Sequence, residues 1–156
     1  DVGCGTGEHT LLAARLGLDA TGVDTSPAAI RLAAQKAVER GLNARFLVWD
    51  ALDLGSLGER FETVVDSGLF HLFGDDDRTR YEASLRAGIA PGGRFFLLCF
   101  SDQVPPGPGP RRVRADEIRA CFDRGWRIVS LEATRFEATF NPQGVPGWLA
   151  VIERLP

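Results

Sequence analysis

The residues best suited to chemistry gather in the stretch Asp1-Val2-Gly3-Cys4-Gly5-Thr6-Gly7. Glycines at alternate positions have no Cβ, so the backbone can turn sharply and come close to a ligand. The stretch runs into Glu8–Leu16, which reads as a helix whose first N–H groups would face whatever the glycines admit. A short apolar segment, Ala20–Asp24, then ends in a carboxylate 19 residues after Gly5. An acid so placed at the tip of a second parallel strand can accept both hydroxyls of a ribose. Asp50 closes a third strand-like segment in the same way, and Asp66 a fourth. His71 follows Asp66 on the same rim and is a candidate base or acceptor-orienting donor, since its ordinary pKa lies near neutrality.

These residues need elements to hold them. Ser26 suits a helix N-cap and Pro27 the first helical position. Ile30, Ala33, Ala34, Ala37 and Val38 then recur with helical spacing until Gly41. The residues 44–51 form the third strand, the glycine-broken residues 53–60 a loop with one turn, and 61–66 the fourth strand. Asp75-Asp76-Asp77 start a helix with Tyr81, Leu85 and Ile89 on one face; acids in a first turn suit the helix dipole, and no metal is implied. Ala90–Gly93 reads as a turn into the uninterrupted apolar strand 94–100, suited to burial on both faces. The proline-rich residues 101–113 form a stiff surface loop, in which Arg111-Arg112 reads as a solvated pair more than as an anion clamp. Ile118, Cys121 and Phe122 mark another helix. Strands over 126–136 and 147–155, joined by a polar turn around Asn141–Gly144, form an antiparallel hairpin.

The dinucleotide fingerprint G-x-G-x-x-G/A would place its third small residue at position 8, which is Glu8. The observed acid-x-G-x-G-x-G instead resembles motif I of the class I S-adenosylmethionine-dependent methyltransferases. The acids after strands two, three and four and the Pro91-Gly92-Gly93 turn repeat the likeness in order. The resemblance implies an α/β, Rossmann-like three-layer sandwich with a seven-stranded, mostly parallel sheet of order 3-2-1-4-5-7-6 and an antiparallel last strand. It implies S-adenosylmethionine as cofactor, held by Asp1, Gly3, Cys4, Gly5, Thr6, Gly7, Asp24, Thr25, Asp50, Ala51, Asp66 and Ser67, with Trp49 or Leu52 against the adenine. His71 and Asp66 are the candidate catalytic residues. Asp66–His71 with Arg78-x-Arg80-Tyr81 further resembles the thiopurine, thiol and tellurite-resistance methyltransferases. The acceptor would then be a small molecule, a thiol or other soft nucleophile, in a pocket lined by Phe70, Phe73 and Phe100. A non-catalytic S-adenosylmethionine-binding domain and a nicotinamide oxidoreductase remain the alternatives.

Composition bounds the rest. The 156 residues, 44% apolar, suit one domain spanning 1–156. Without methionine, and with only Asp1 and Val2 ahead of the first glycine, that domain reads as incomplete at its N-terminus. A net charge of −3 gives no bulk attraction to nucleic acid or anionic membranes. Cys4, Cys99 and Cys121, an odd and widely spaced set, suit a reducing cytoplasm. No apolar run reaches the length of a membrane span.

Overall fold

The structure, a computed structural model, describes residues 1–138 and 141–156. Helix α1 (Glu8–Arg15) leaves directly from the glycine turn and buries Thr10 and Leu11. Strand β1 (Thr21–Asp24) leads to α2 (Pro27–Glu39), where the Ser26 hydroxyl accepts the Ala29 N–H at 3.2 Å and Pro27 takes the first position. Its buried stripe is narrower than the periodicity suggests: Ile30, Ala33 and Ala37 face the sheet, while Ala34 is exposed and Val38 is 82% exposed. Strand β2 (Arg45–Val48) pairs parallel to β1. The residues expected to loop form two short 3-10 turns over Ala51–Leu57, joined at a non-helical Asp53.

Strand β3 (Phe61–Ser67) is followed by a 3-10 turn at Phe70–Leu72 and by α3 (Asp75–Gly88). Ile89, expected on the helix, has extended backbone and opens β4 (Ile89–Phe100). Phe61 pairs with Ile89 and Thr63 with Arg94, so residues 90–93 bulge out within β4 instead of preceding it. That strand is not buried evenly: Phe95, Leu97 and Cys99 are sealed, whereas Phe96, Leu98 and Phe100 are half-buried. After α4 (Ala115–Cys121) come β5 (Trp126–Ala138) and β6 (Asn141–Arg154), an antiparallel hairpin longer than its apolar segments. Asn141–Gly144, expected as the turn, is already part of β6; the connection falls on 139–140, outside the described residues.

Hydrogen bonding divides these six strands into a pair, β2-β1, and a group of four, β3-β4-β6-β5. The expected seven-stranded sheet is therefore not observed as such. Val2, 3% exposed, joins the two by parallel bridges to Val23 and to Asp66. Its N–H donates to the Val65 carbonyl at 2.9 Å, and the Val23 N–H donates to the Asp1 carbonyl at 2.9 Å.

Side chains from α3 reach across the core to fix the opposite, C-terminal edge of the sheet. The Asp66 carboxylate, fully buried, accepts the Leu69 N–H at 2.7 Å, the Phe70 N–H at 3.0 Å and the Tyr81 hydroxyl at 2.8 Å. The Ser84 hydroxyl accepts the Leu54 N–H at 2.8 Å and donates to the Ala51 carbonyl at 2.7 Å. Arg78 pairs with Glu117 at 3.0 Å and lies over the Phe70 ring, its guanidinium carbon 4.4 Å from the centroid.

Burial pushes Asp66 up to about 6 against the pull of its hydrogen-bond donors. Its folded pKa thus exceeds the unfolded value, so ionising it costs stability at neutral pH, and the cost is relieved as pH falls through 6 toward 4. Tyr81→Phe removes a donor to the ionised form and should cost about 1.5–3 kcal/mol near pH 8. Urea unfolding at pH 8 and pH 5 checks this: the loss should shrink at pH 5, where Asp66 protonates. An equal loss at both values would mean that the Tyr81 hydroxyl does not act through the Asp66 charge.

Candidate active site

Parallel strands with helices between them leave their binding crevice at the C-terminal strand ends, and the glycine turn lies there. Gly3, Gly5 and Gly7 all have positive φ, at 65°, 52° and 84°. Gly7 needs to be bare for packing: a Cβ would lie 2.7 Å from Phe46 Cε1 and 2.8 Å from Ala33 Cβ. At Gly5 a Cβ would meet nothing within 4 Å, so this part of the loop faces open space. No side chain caps α1. Its Thr10 N–H is taken by Asp1 Oδ2 at 3.1 Å, which also accepts the Thr10 hydroxyl at 2.7 Å.

Asp24, half-buried at the end of β1, ties the loop down. Oδ2 accepts the Gly5 N–H and Oδ1 the Ser26 N–H, both at 2.8 Å. Each oxygen keeps a second lone pair for another donor. Thr25 beside it is exposed. The Trp49 N–H donates to the Asp24 carbonyl at 3.0 Å, which sets Asp50 at the neighbouring strand end. Asp50 is exposed and accepts the Leu52 N–H at 2.9 Å, while the Trp49 indole donates to the Asp53 carbonyl at 2.9 Å. Ala51 is buried, its carbonyl held by Ser84.

Lys36 is a residue that sequence reasoning missed. Its ammonium donates to the Thr6 carbonyl at 3.2 Å, to the Thr6 hydroxyl at 2.8 Å and to Glu8 at 2.9 Å. Arg40 adds a second cation on Glu8 at 2.8 Å, and together they hold that carboxyl down to about 2. The available signal was its position: Lys36 is the chain's one lysine and lies three residues past Ala33, the residue beneath Gly7.

The far side of the crevice differs more from expectation. Asp66, expected both at the cofactor and in catalysis, turns inward with every exposed surface lost, because its oxygens hold the turn after β3 and Tyr81. Ser67 ends β3, half-buried. Phe70 is sealed in the core against Tyr81 and Phe122, and Phe73 packs on Tyr81 at 4.9 Å, so the expected Phe70–Phe73–Phe100 pocket does not form. His71, 4% exposed, instead stacks on Phe100 at 4.5 Å, with Phe136 of β5 6.0 Å away. The same turn touches the glycine loop, since a Cβ on Gly3 would lie 3.2 Å from Leu69. Burial and the nearby Arg78 lower His71 to about 4. Burial raises the Cys4 thiol to about 11 and those of Cys99 and Cys121 to about 12, so none is a thiolate at neutral pH. Arg111 and Arg112 are both engaged: Arg111 pairs with Asp75 at 2.6 Å and with Glu117, and Arg112 donates to the carbonyls of Pro105, Pro108 and Pro110.

The two loop glycines separate experimentally. Gly5→Ala should cost about 1–2 kcal/mol for the left-handed backbone alone. Gly7→Ala adds overpacking against Phe46 and Ala33, typically about 1–3 kcal/mol. Equal losses in thermal unfolding would contradict the packing described for Gly7.

Comparison with known proteins agrees with this geometry. Residues 1–93 match the methyltransferase domain family. A 2-heptyl-1-hydroxyquinolin-4(1H)-one methyltransferase of Mycobacteroides abscessus is 36% identical over 141 residues, covering 88% of this chain and 62% of that protein. The chain thus spans less than two thirds of that relative's length. A structure from work on converting a disulfide bond into a thioacetal group during echinomycin biosynthesis is 39% identical, covers 99% of this chain and 74% of that one, and superposes with a TM-score of 0.87. TehB of Haemophilus influenzae superposes at 0.77 over 99% of this chain and 57% of its own; at 18% identity it speaks for the fold, not for a tellurite-resistance grouping. With a Rossmann-like arrangement, the glycine turn and its acids in place, and a family match over more than half its length, the chain belongs to the methyltransferase domain family.

Proposed function

We propose that this protein transfers a methyl group from S-adenosylmethionine to a small, partly apolar acceptor with an acidic O–H or S–H. The observation that carries the reading is the open glycine loop latched by Asp24, with Asp50 on the adjoining strand end. The residues suit the cofactor group by group. The glycine turn ahead of α1, where Gly5 faces open space, suits its carboxylate. Asp24 suits the ribose hydroxyls, Asp50 and the Ala51 N–H the adenine edge, and Trp49 or Leu52 a ring face. Cys4, Thr6 and Thr25 line the approach, and the Asp1 and Ser67 ends of the flanking strands suit the amine. When bound, the cofactor supplies a methyl group already activated by its sulfonium.

The chain's task is then alignment of an acceptor, which can lower a barrier by about 7–11 kcal/mol. A hydroxyquinolone and a sulfur-bearing product in the names of the similar proteins support an acidic oxygen or sulfur as the nucleophile. The net charge of −3 favours a small molecule over nucleic acid, and the free cysteines favour the cytoplasm. No helix among the described residues is long and apolar enough to cross a membrane. We read residues 1–156 as one methyltransferase domain. The parallel bridges of Val2 on both sides support reading it as the trace of a first strand, in a sheet of order 3-2-1-4-5-7-6.

Calorimetric titration tests the cofactor. S-adenosylmethionine and S-adenosylhomocysteine should bind, and NADH should not. Asp24→Ala should weaken binding by about 1.5–3 kcal/mol for each charged hydrogen bond lost. NADH binding more tightly than S-adenosylhomocysteine, or full affinity in Asp24→Ala, would sink the assignment.

A further inference from the structure

The ring of His71 is fixed in one protonation pattern by the backbone. Its Nδ1 accepts the Phe100 N–H at 3.0 Å, so the neutral ring carries its proton on Nε2. To act as a base the ring would have to take a proton on Nδ1, directly against the Phe100 N–H. The surroundings oppose this as well. The positive charge of Arg78 on α3 acts on the ring; β4 and β5 present Phe100 and Phe136; and the proline loop presents the Arg111 N–H, which donates to the His71 carbonyl at 3.1 Å. The Arg111 side chain is occupied by Asp75 and Glu117. Among nearby acids Asp66 is sealed by three donors, and Cys99 on β4 is buried and protonated.

Nε2–H is left over. It has no partner among the described residues, yet it is not shut in as the orphan Nε and Nη2 of Arg78 are. It therefore keeps a trace of solvent contact. Around it Phe100 and Phe136 meet edge to face, centroids 5.1 Å apart at 83°. Gly68 allows that approach: a Cβ there would lie 3.2 Å from Phe136 Cζ and 3.6 Å from His71 Cε1. One residue further on, Leu69 lies against Gly3 of the glycine loop, so this aromatic corner adjoins the place assigned to the cofactor.

We propose that this corner takes its acceptor as a preformed anion, a flat apolar body against Phe100 and Phe136 whose ionised oxygen or sulfur accepts from His71 Nε2–H. The inference rests on the methyltransferase reading above and adds to it the state in which the acceptor binds and the residue that selects it. The acceptor's proton goes to solvent before binding. Its lone pair then forms the bond to the methyl carbon, the pair of the breaking carbon–sulfur bond stays on the departing sulfur, and no proton remains to be moved. His71 is a donor that orients the nucleophile and stabilises its charge. Phe136, on a strand remote in sequence, is a wall of the acceptor site.

The test uses the intact protein saturated with S-adenosylhomocysteine and a set of ring-substituted nitrophenols, whose anions are coloured. The bound probe should ionise at a lower pH than the free one. His71→Phe keeps the stacking ring but lacks the donor; it should return ionisation toward the free value and weaken anion binding about ten- to a hundredfold. His71→Gln, with an amide donor, should recover part of the loss. In turnover with the same series, the pH at which kcat/KM levels off should move with each acceptor's own pKa. An inflection that stays at one pH for all acceptors and vanishes in His71→Phe would make His71 a base and overturn the proposal. So would a bound probe that ionises no more readily than the free one. Failure of every nitrophenol to bind the loaded protein also overturns it, while the cofactor titration separately decides the methyltransferase reading.

Discussion

The crevice depends on a carboxylate that never reaches it. Removing Asp66 from water is expensive, and an unpaired buried charge would not survive. Two backbone N–H groups and the Tyr81 hydroxyl converge on it, so the chain after β3 can turn in only one way. That turn sets Leu69 against Gly3 on one side and His71 against Phe100 on the other. Since Tyr81 comes from α3, the helix registers the turn against the core, and Ser84 one turn further on does the same for Ala51 and Leu54. One helix thus aligns both the rim beside the glycine loop and the segment after Asp50.

The two sides of the crevice are held by different physics. On the glycine side the clamps are charged and partly exposed: Asp24 on Gly5, and Lys36 on Thr6 and Glu8. Exposed pairs of this kind contribute little net stability, and their value here is geometric, since each pins the glycine-rich turn in place. On the proposed acceptor side the walls are aromatic, and the His71 Nε2–H has no partner among the described residues. A low-dielectric wall strengthens a hydrogen bond from that single donor to an anion.

Much of this was legible in the chain. The glycine spacing, Asp24 and Asp50 fall where local rules put them, because a turn and a strand end are short-range features. Ser26-Pro27 likewise starts its helix where capping chemistry says it must. What could not be read was which way a side chain turns once an element is packed. Asp66 looked like a ligand because it ends a strand; only the distant Tyr81 shows that it faces inward. Phe70 and Phe73 looked like a pocket because they flank His71, yet a tight turn sends neighbours to opposite sides. The place of Phe136 beside His71 and Phe100 carried no local mark at all, since it depends on hairpin register. Ile89 was misplaced because helical periodicity continues past the residue at which pairing with Phe61 takes the backbone into the sheet.

These placements explain why the rim can be sparse in ionisable groups without losing its use. A group transfer from an activated donor needs a nucleophile held in line more than it needs a proton acceptor, and proton removal can be left to the acceptor's own acidity. A histidine whose Nδ1 is tied to the backbone is better suited to that than a free one. It cannot switch tautomer, it does not acquire a charge near neutral pH that would trap an anion too tightly, and its Nε2–H points one way. The Arg78 guanidinium, over the Phe70 ring and paired to Glu117 yet leaving two nitrogens without partners among the described residues, adds its charge beside His71. On the proposed reading the rim favours acceptors that shed a proton readily, and that selectivity would reside in backbone geometry rather than in any single reactive side chain.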